Sequence, residues 1–416
     1  MNLADFNTSY LVIAVIVAII MHVFFLRKHI VVLLDPWLFL FLNELMIFAV
    51  MLYSYMQHLM LPSLFFYYLI SWLAFVLGLS VFYKKQVKPY KSVVFLNSRA
   101  TGLALKISMA VMFLNGMLIF YFLGIPLFDS ARTISDYSKL GSGFGILFYI
   151  NWGIQNLVLF LALKKWLFDG NKKMGLYALI FIIVFNILNR SSRSGYLDII
   201  MDITLGMYFM ERNFKMVYKL PRIFYIALYI LPFYILYTFV SAVNEGYETN
   251  VFLAVVRRTI GAAEGPFYYF SLNSYKFFTG LNLFSYHFSQ ILPYLGYVDK
   301  NAINLGVNLS LESDLAFGTP GYGPNPTMFV IGHIAWGYFG IIYCFLIGVF
   351  LSYLRYKMKV GFFVWMVLNV TAMTLVGDGT LMPLTLFYLT LLSPIFIISY
   401  ALSKKTVPVG ENLITV

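Results

Sequence analysis

Long apolar runs separated by short polar or basic connections fill the chain from Ser9 to Leu402. A bilayer core of about 30 Å is crossed by roughly 17–25 mainly apolar residues wound as a helix. About eleven such runs can be delimited, near residues 9–26, 38–57, 63–83, 100–123, 144–163, 174–189, 196–210, 223–242, 328–352, 361–377 and 381–402. They are continuous rather than alternating, which predicts helices and not the strands of a barrel, because a helix satisfies its own backbone in lipid. The expected fold is an all-α polytopic membrane protein with about eleven transmembrane helices, residues 1–416 forming a single integral membrane domain. The seventh run is the weakest. It carries Asp198 and Asp202 on one helical face, and these should point into the protein or lie near a helix end.

Basic residues orient the runs. Alternate connections hold Arg27, Lys28, Lys84, Lys85, Lys88, Lys91, Lys164, Lys165, Lys172, Lys173, Arg212, Lys215, Lys219, Arg222, Arg355, Lys357, Lys359, Lys404 and Lys405, nineteen residues on one side. The other side holds eight: Arg132, Lys139, Arg190, Arg193, Arg257, Arg258, Lys276 and Lys300. Cytoplasmic connections are the ones enriched in Lys and Arg. The expectation is therefore an outer N terminus and a cytoplasmic C terminus. The first run ends in Arg27-Lys28-His29 with no basic residue before it, the reverse of a signal peptide, so it should be a retained helix. The inner connections leave no room for a nucleotide-binding domain or a Walker motif.

One outer connection is far longer than the rest. Residues 241–325, between the eighth and ninth runs, exceed the roughly 15 residues at which unstructured connections become rare. The segment is rich in Tyr and Phe, as in GPFYYFSLNSYKFFTGLNLFSYHFSQ, which predicts short amphipathic helices lying at the membrane surface. Any chemistry should lie on this face.

Composition narrows the function classes. The chain is 61% hydrophobic and 11% charged, against about 25% charged in soluble domains. That argues against a soluble enzyme, a disordered chain or a nucleic-acid-binding domain. The net charge of +12 follows mostly from orientation, so no nucleic-acid partner is needed to account for it. Cys344 is the only cysteine, and no HExxH pattern or dense outer carboxylate set suggests a metal. No cofactor is expected either.

The outer arginines are the main candidates for chemistry. Arg190 and Arg193, in NRSSRSGYLDII, lie three residues apart among Ser191, Ser192, Ser194 and Gly195. Two guanidinium groups so placed can grip a phosphate or diphosphate, or instead anchor at lipid headgroups or pair with Asp198 and Asp202. Arg257 and Arg258 follow an apolar run directly; adjacent residues diverge on a helix, so one of the two should face a ligand phosphate, with snorkelling at the lipid headgroups the competing account. Arg132 follows a proline-fixed turn and has Asp129 and Asp136 as competing partners. For proton transfer the candidates are Glu264, set between alanine and glycine near the arginine pair, and His287, flanked by aromatics suited to a sugar ring. Glu312 and Asp314 form a weak paired-carboxylate pattern, and His333 fits a packing role as well as a chemical one. Glu44 and Lys106 lie within apolar runs and need partners or water there.

Three stretches in order carry a resemblance: Gly124-Ile125-Pro126-Leu127-Phe128 followed by Arg132 and, eleven positions on, Gly143; Arg190-Ser191-Ser192-Arg193-Ser194-Gly195; and the long loop closing in PNPTMFVIGHIAWGYFG. Together they make the chain resemble the bacterial O-antigen polymerases of the Wzy type, the oligosaccharide repeat-unit polymerases. The resemblance implies a GT-C-like helical glycosyltransferase of the inner membrane with its active site facing the periplasm. It implies a growing glycan on undecaprenyl diphosphate as donor and a lipid-linked repeat unit as acceptor. A repeat-unit flippase and a chain-length regulator are the partners it implies. The competing expectations are a transporter or flippase of lipid-linked oligosaccharide, and an O-antigen ligase.

Overall fold

The computed structural model describes residues 8–30, 35–83, 98–125, 144–167, 169, 171–188, 202–208, 263–272, 274–278, 280–297, 305–312, 325–358 and 362–404. Among these residues all regular structure is helical. By length and composition alone, five apolar helical stretches are candidate membrane spans, at residues 9–29, 62–80, 98–122, 328–357 and 381–402, of which the fourth folds back at Gly337, and two shorter ones lie at 40–56 and 364–376. The chain is thus a helical protein with several membrane-length apolar helices. The eighth expected run, near 223–242, lies outside the described residues, and of the seventh residues 202–208 are helical.

The chain divides into two compact units: residues 1–85, 219–357 and 371–383, and residues 86–218, 358–370 and 384–416. In the first unit, α1 (Thr8–Leu26) packs on α2 (Pro36–Met56), which enters through Pro36 in its first turn and an Asp35 cap. Proline suits the first helical position because its missing N–H has no intrahelical partner there. The Asp35 carboxylate accepts from the Trp37 amide at 3.0 Å. α3 (Pro62–Ser80) starts on proline in the same way.

In the second unit, α4 (Ser98–Leu123), α5 (Phe144–Leu167) and α6 (Lys172–Leu188) pack in sequence. Two lysines bind α5 to the start of α4: Lys164 Nζ donates to Thr101 Oγ1 at 2.7 Å and Lys165 Nζ to Ser98 Oγ at 2.6 Å. Asp169 accepts from both lysines, at 3.1 Å each.

The segment expected as a long aromatic loop carries α7 (Glu264–Ser271), α8 (Leu283–His287) and α9 (Leu305–Glu312), with single turns at Ser274–Lys276 and Leu292–Leu295. These elements are two-sided. Tyr269, Phe270 and Tyr286 are buried, while Phe277, Phe284, Leu295 and Tyr297 are exposed. α7 packs closely enough that a side chain at Gly265 would collide with the Asn325 carbonyl.

The ninth expected run, 328–352, is a hairpin and not one helix. α10 (Met328–Trp336) ends at Gly337, whose φ of 58° lies in the left-handed region open to glycine. The chain then turns through Gly337–Phe339 into α11 (Gly340–Ser352), which continues as a π-turn over Tyr353–Lys357. A continuous helix would separate Gly332 and Gly340 by about 12 Å. Instead the two backbones touch, and a Cβ at Gly332 would sit 3.0 Å from the Gly340 carbonyl oxygen. The Cys344 thiol reaches the Met328 carbonyl at 3.7 Å, which fixes the antiparallel register. A nine-residue α10 is about 13 Å long, too short to span a bilayer alone. α11 crosses α3 equally closely, where Gly78 faces Gly348. The remaining helices are α12 (Phe362–Met373), α13 (Leu381–Leu391) and α14 (Ser393–Lys404), so the last expected run is interrupted at Leu392.

Candidate functional site

Within the first unit, two clusters of polar and aromatic side chains join the loop helices to its other elements. The first surrounds His333 on α10. Its Nδ1 lies 2.8 Å from the Tyr269 hydroxyl of α7. Tyr67, Tyr269, Phe270 and Tyr338 set their rings around the imidazole, with centroids 4.6–5.9 Å away. The Tyr67 hydroxyl donates to the Phe329 carbonyl at 3.1 Å. Burial pushes the Tyr269 hydroxyl well above the usual phenol range, so it remains a neutral hydrogen-bonding group. This cluster fits packing, since edge-on rings and one shared hydrogen bond lock α3, α7 and α10 together.

The second cluster centres on His287, the last residue of α8. The helix forms because Asn282 caps it, its side chain accepting from the Phe284 and Ser285 amides at 2.9 and 3.2 Å. His287 Nδ1 lies 3.0 Å from the Gly379 carbonyl, an obligate acceptor, so that nitrogen carries the proton. Nε2 is then the acceptor, and the Tyr343 hydroxyl of α11 donates to it at 3.0 Å. Both ring nitrogens are engaged. Burial lowers the His287 pKa below its ordinary 6.5, partly offset by the Gly379 bond and the nearby Asp378 carboxylate. Around it, Tyr286 Oη donates to Asp378 Oδ1 at 3.3 Å and Gln290 Nε2 to Thr380 Oγ1 at 3.1 Å.

The expected acid–base pair therefore falls on two separate elements. Glu264 is the first residue of α7, where an acidic side chain suits the positive helix end. It is half-buried and lies close enough to Tyr268 to raise that phenol, after the larger effect of burial. Arg132, Arg190, Arg193, Arg257 and Arg258 lie outside the described residues, as do Asp198 and Asp314. Glu312 ends α9. Glu44 is fully buried in α2, and neither carboxylate oxygen meets a donor among the described residues. Lys106 is on an exposed face of α4.

Sequence reasoning passed over Asp378, Thr380, Tyr343 and the buried pair of Asp35 with Arg355. For Asp378 a signal existed: a carboxylate between two glycines, Gly377-Asp378-Gly379-Thr380, joining the tenth and eleventh runs. Tyr343 carried none, being one aromatic among many in an apolar stretch. The chain matches no known family, no curated protein and no solved structure.

Proposed function

We propose that the chain is an inner-membrane polymerase of surface polysaccharide, transferring a growing glycan from undecaprenyl diphosphate to a lipid-linked repeat unit. The observation that carries this reading is the set of arginines, Arg132, Arg190, Arg193, Arg257 and Arg258, in segments where the charge rule disfavours them. Breaking an anomeric C–O bond builds charge on the departing diphosphate. Fixed guanidinium groups that bind it more strongly in the transition state accelerate that step. The folded aromatic segment over residues 264–297 supports the reading by supplying faces on which sugars can stack. Glu264 and His287 are the sequence candidates for deprotonating the acceptor hydroxyl. His287 can serve only if Tyr343 releases its Nε2. Flippase and chain-length regulator would act alongside it in the same membrane, with the N terminus periplasmic and the C terminus cytoplasmic.

The test is purified full-length protein with defined undecaprenyl-diphosphate-linked repeat units and no nucleotide. The expected outcome is a ladder of longer lipid-linked glycans. Arg190→Lys and Arg193→Lys keep the charge but lose the two-pronged geometry, and each should lower elongation by on the order of 100-fold. Transport of the lipid-linked unit without any ladder would favour a flippase instead.

A further inference from the structure

We infer that Asp378 is the group that takes the acceptor hydroxyl proton and that His287 is the residue positioning it; this rests on the polymerase reading above. Asp378 lies between the Thr374–Val376 turn and α13, in the same unit as His287, Tyr286 and Tyr343. Its Oδ1 accepts from the Thr380 amide at 3.0 Å, from Thr380 Oγ1 at 2.7 Å and from Tyr286 Oη at 3.3 Å. Three donors on one oxygen fix the carboxylate plane. Among the described residues none donates to Oδ2, and the residue is partly exposed. One oxygen is the anchor and the other is open to receive a proton.

Charge supports the assignment. The carboxylates of Asp35 and Asp169 are each neutralised by a cation, Arg355 for the first and Lys164 with Lys165 for the second. Among the described residues no lysine or arginine pairs with Asp378, and the groups facing it are neutral donors. A carboxylate with no cation on it keeps an oxygen that an acceptor hydroxyl can reach.

Space supports it too. A methyl group at Gly379 would run into the His287 ring, 2.6 Å from Nδ1, whereas among the described residues one at Gly377 would meet nothing nearer than the Thr374 carbonyl at 4.0 Å. Among the described residues, then, one flank of Asp378 is closed by His287 and the other leaves room for a ligand. His287, bonded at both nitrogens, holds the Gly379 carbonyl and with it the turn that aims the carboxylate.

In the step, the acceptor O–H proton passes to Asp378 Oδ2 as the acceptor oxygen bonds to the anomeric carbon of the donor glycan. The anomeric C–O bond to diphosphate breaks, and its electron pair leaves with the lipid diphosphate. The proton then passes to water.

Asp378→Asn discriminates this role from a turn cap, because the amide oxygen still accepts from Thr380 and Tyr286 while the free oxygen becomes an NH₂. With purified full-length protein and lipid-linked repeat units, the variant should melt like the wild type yet elongate about 100-fold more slowly or worse. It should also lose the acidic limb of the pH–rate profile. Gly377→Leu should raise the acceptor KM more than it lowers kcat. Near-wild-type elongation with the acidic limb intact in Asp378→Asn overturns the assignment, as does loss of that limb in Glu264→Gln alone. A second measurement does not depend on turnover or on a variant folding. In membranes holding the wild type, Asp378 should be labelled by a water-soluble carbodiimide with glycine ethyl ester, and the free neutral repeat-unit oligosaccharide should slow that labelling. If the wild type makes no polymer, the polymerase reading falls, and protection still places a sugar hydroxyl at Asp378. Labelling unaffected by oligosaccharide overturns the assignment.

Discussion

The two ends of α11 are fastened by opposite chemistry. Beyond its C-terminal end, Arg355 in the π-turn pairs with Asp35, and both are wholly buried. The guanidinium also lies over the Trp37 ring, 4.5 Å from its centroid, and near Tyr356, whose hydroxyl meets His29 at 3.2 Å. Near the N-terminal end, Tyr343 donates to His287 and His287 to the Gly379 carbonyl, while Tyr286 and Thr380 donate to the neighbouring Asp378 carboxylate, a clasp of neutral donors that is partly open to solvent. Two charges can be taken out of water only if each compensates the other. The first fastening is therefore closed, and its task is to hold residues 320 positions apart in the chain. Among the described residues, the second leaves one carboxylate oxygen without a donor.

Breaking the closed fastening should have the largest effect. Arg355→Met leaves Asp35 buried without its cation, and a loss of about 3–5 kcal/mol is expected, seen as poor expression and a much lower melting temperature in detergent. The double variant Arg355→Met with Asp35→Leu should recover a large part of that loss. No recovery would mean that packing of the guanidinium on Trp37, and not charge, secures this end.

Moving along α11 to its crossing with α3, the expected effect is smaller. At Gly348 a Cβ would collide with the Phe75 carbonyl and come within 3.0 Å of the Leu79 amide, both backbone groups of α3. Gly348→Val should cost about 1–3 kcal/mol as the helices move apart. A melting temperature equal to the wild type would show that the two helices are free to separate there without loss.

The open clasp should give the smallest effect, and one that varies with pH. Its His287 is held below 6.5 in the folded protein, so the unfolded chain binds the extra proton first as pH falls. Stability is then full above about 6.5 and declines as pH drops from there to the lowered folded value. Melting temperature followed across this range should fall in the wild type and stay flatter in His287→Gln. Equal slopes would remove His287 from the clasp and erase this contrast between the two fastenings.

How much of this was legible beforehand differs from residue to residue. The helical class followed from run length alone, because backbone groups in an apolar run have no other way to bond. The starts of α2 and α3 were written in Pro36 and Pro62, and α8 in its Asn282 cap. The hairpin at Gly337 was not legible, since α10 and α11 are equally apolar and a hydropathy pattern cannot tell a helix that continues from one that folds back.

The sequence by itself determined that the chain is apolar and helical, and that basic residues concentrate in alternate connections, because these depend on local composition and on spacing along the chain. Only the tertiary structure decided that His287 is engaged at both nitrogens, that Arg355 belongs to Asp35, and that among the described residues no group donates to the second oxygen of Asp378. Each of those facts depends on a partner 56 to 320 residues away or on the room left beside a glycine, for which adjacent sequence carries no signal. The physical reason is that a side chain's chemistry is set by which hydrogen bonds and charges are already spent on it, and that is decided by packing.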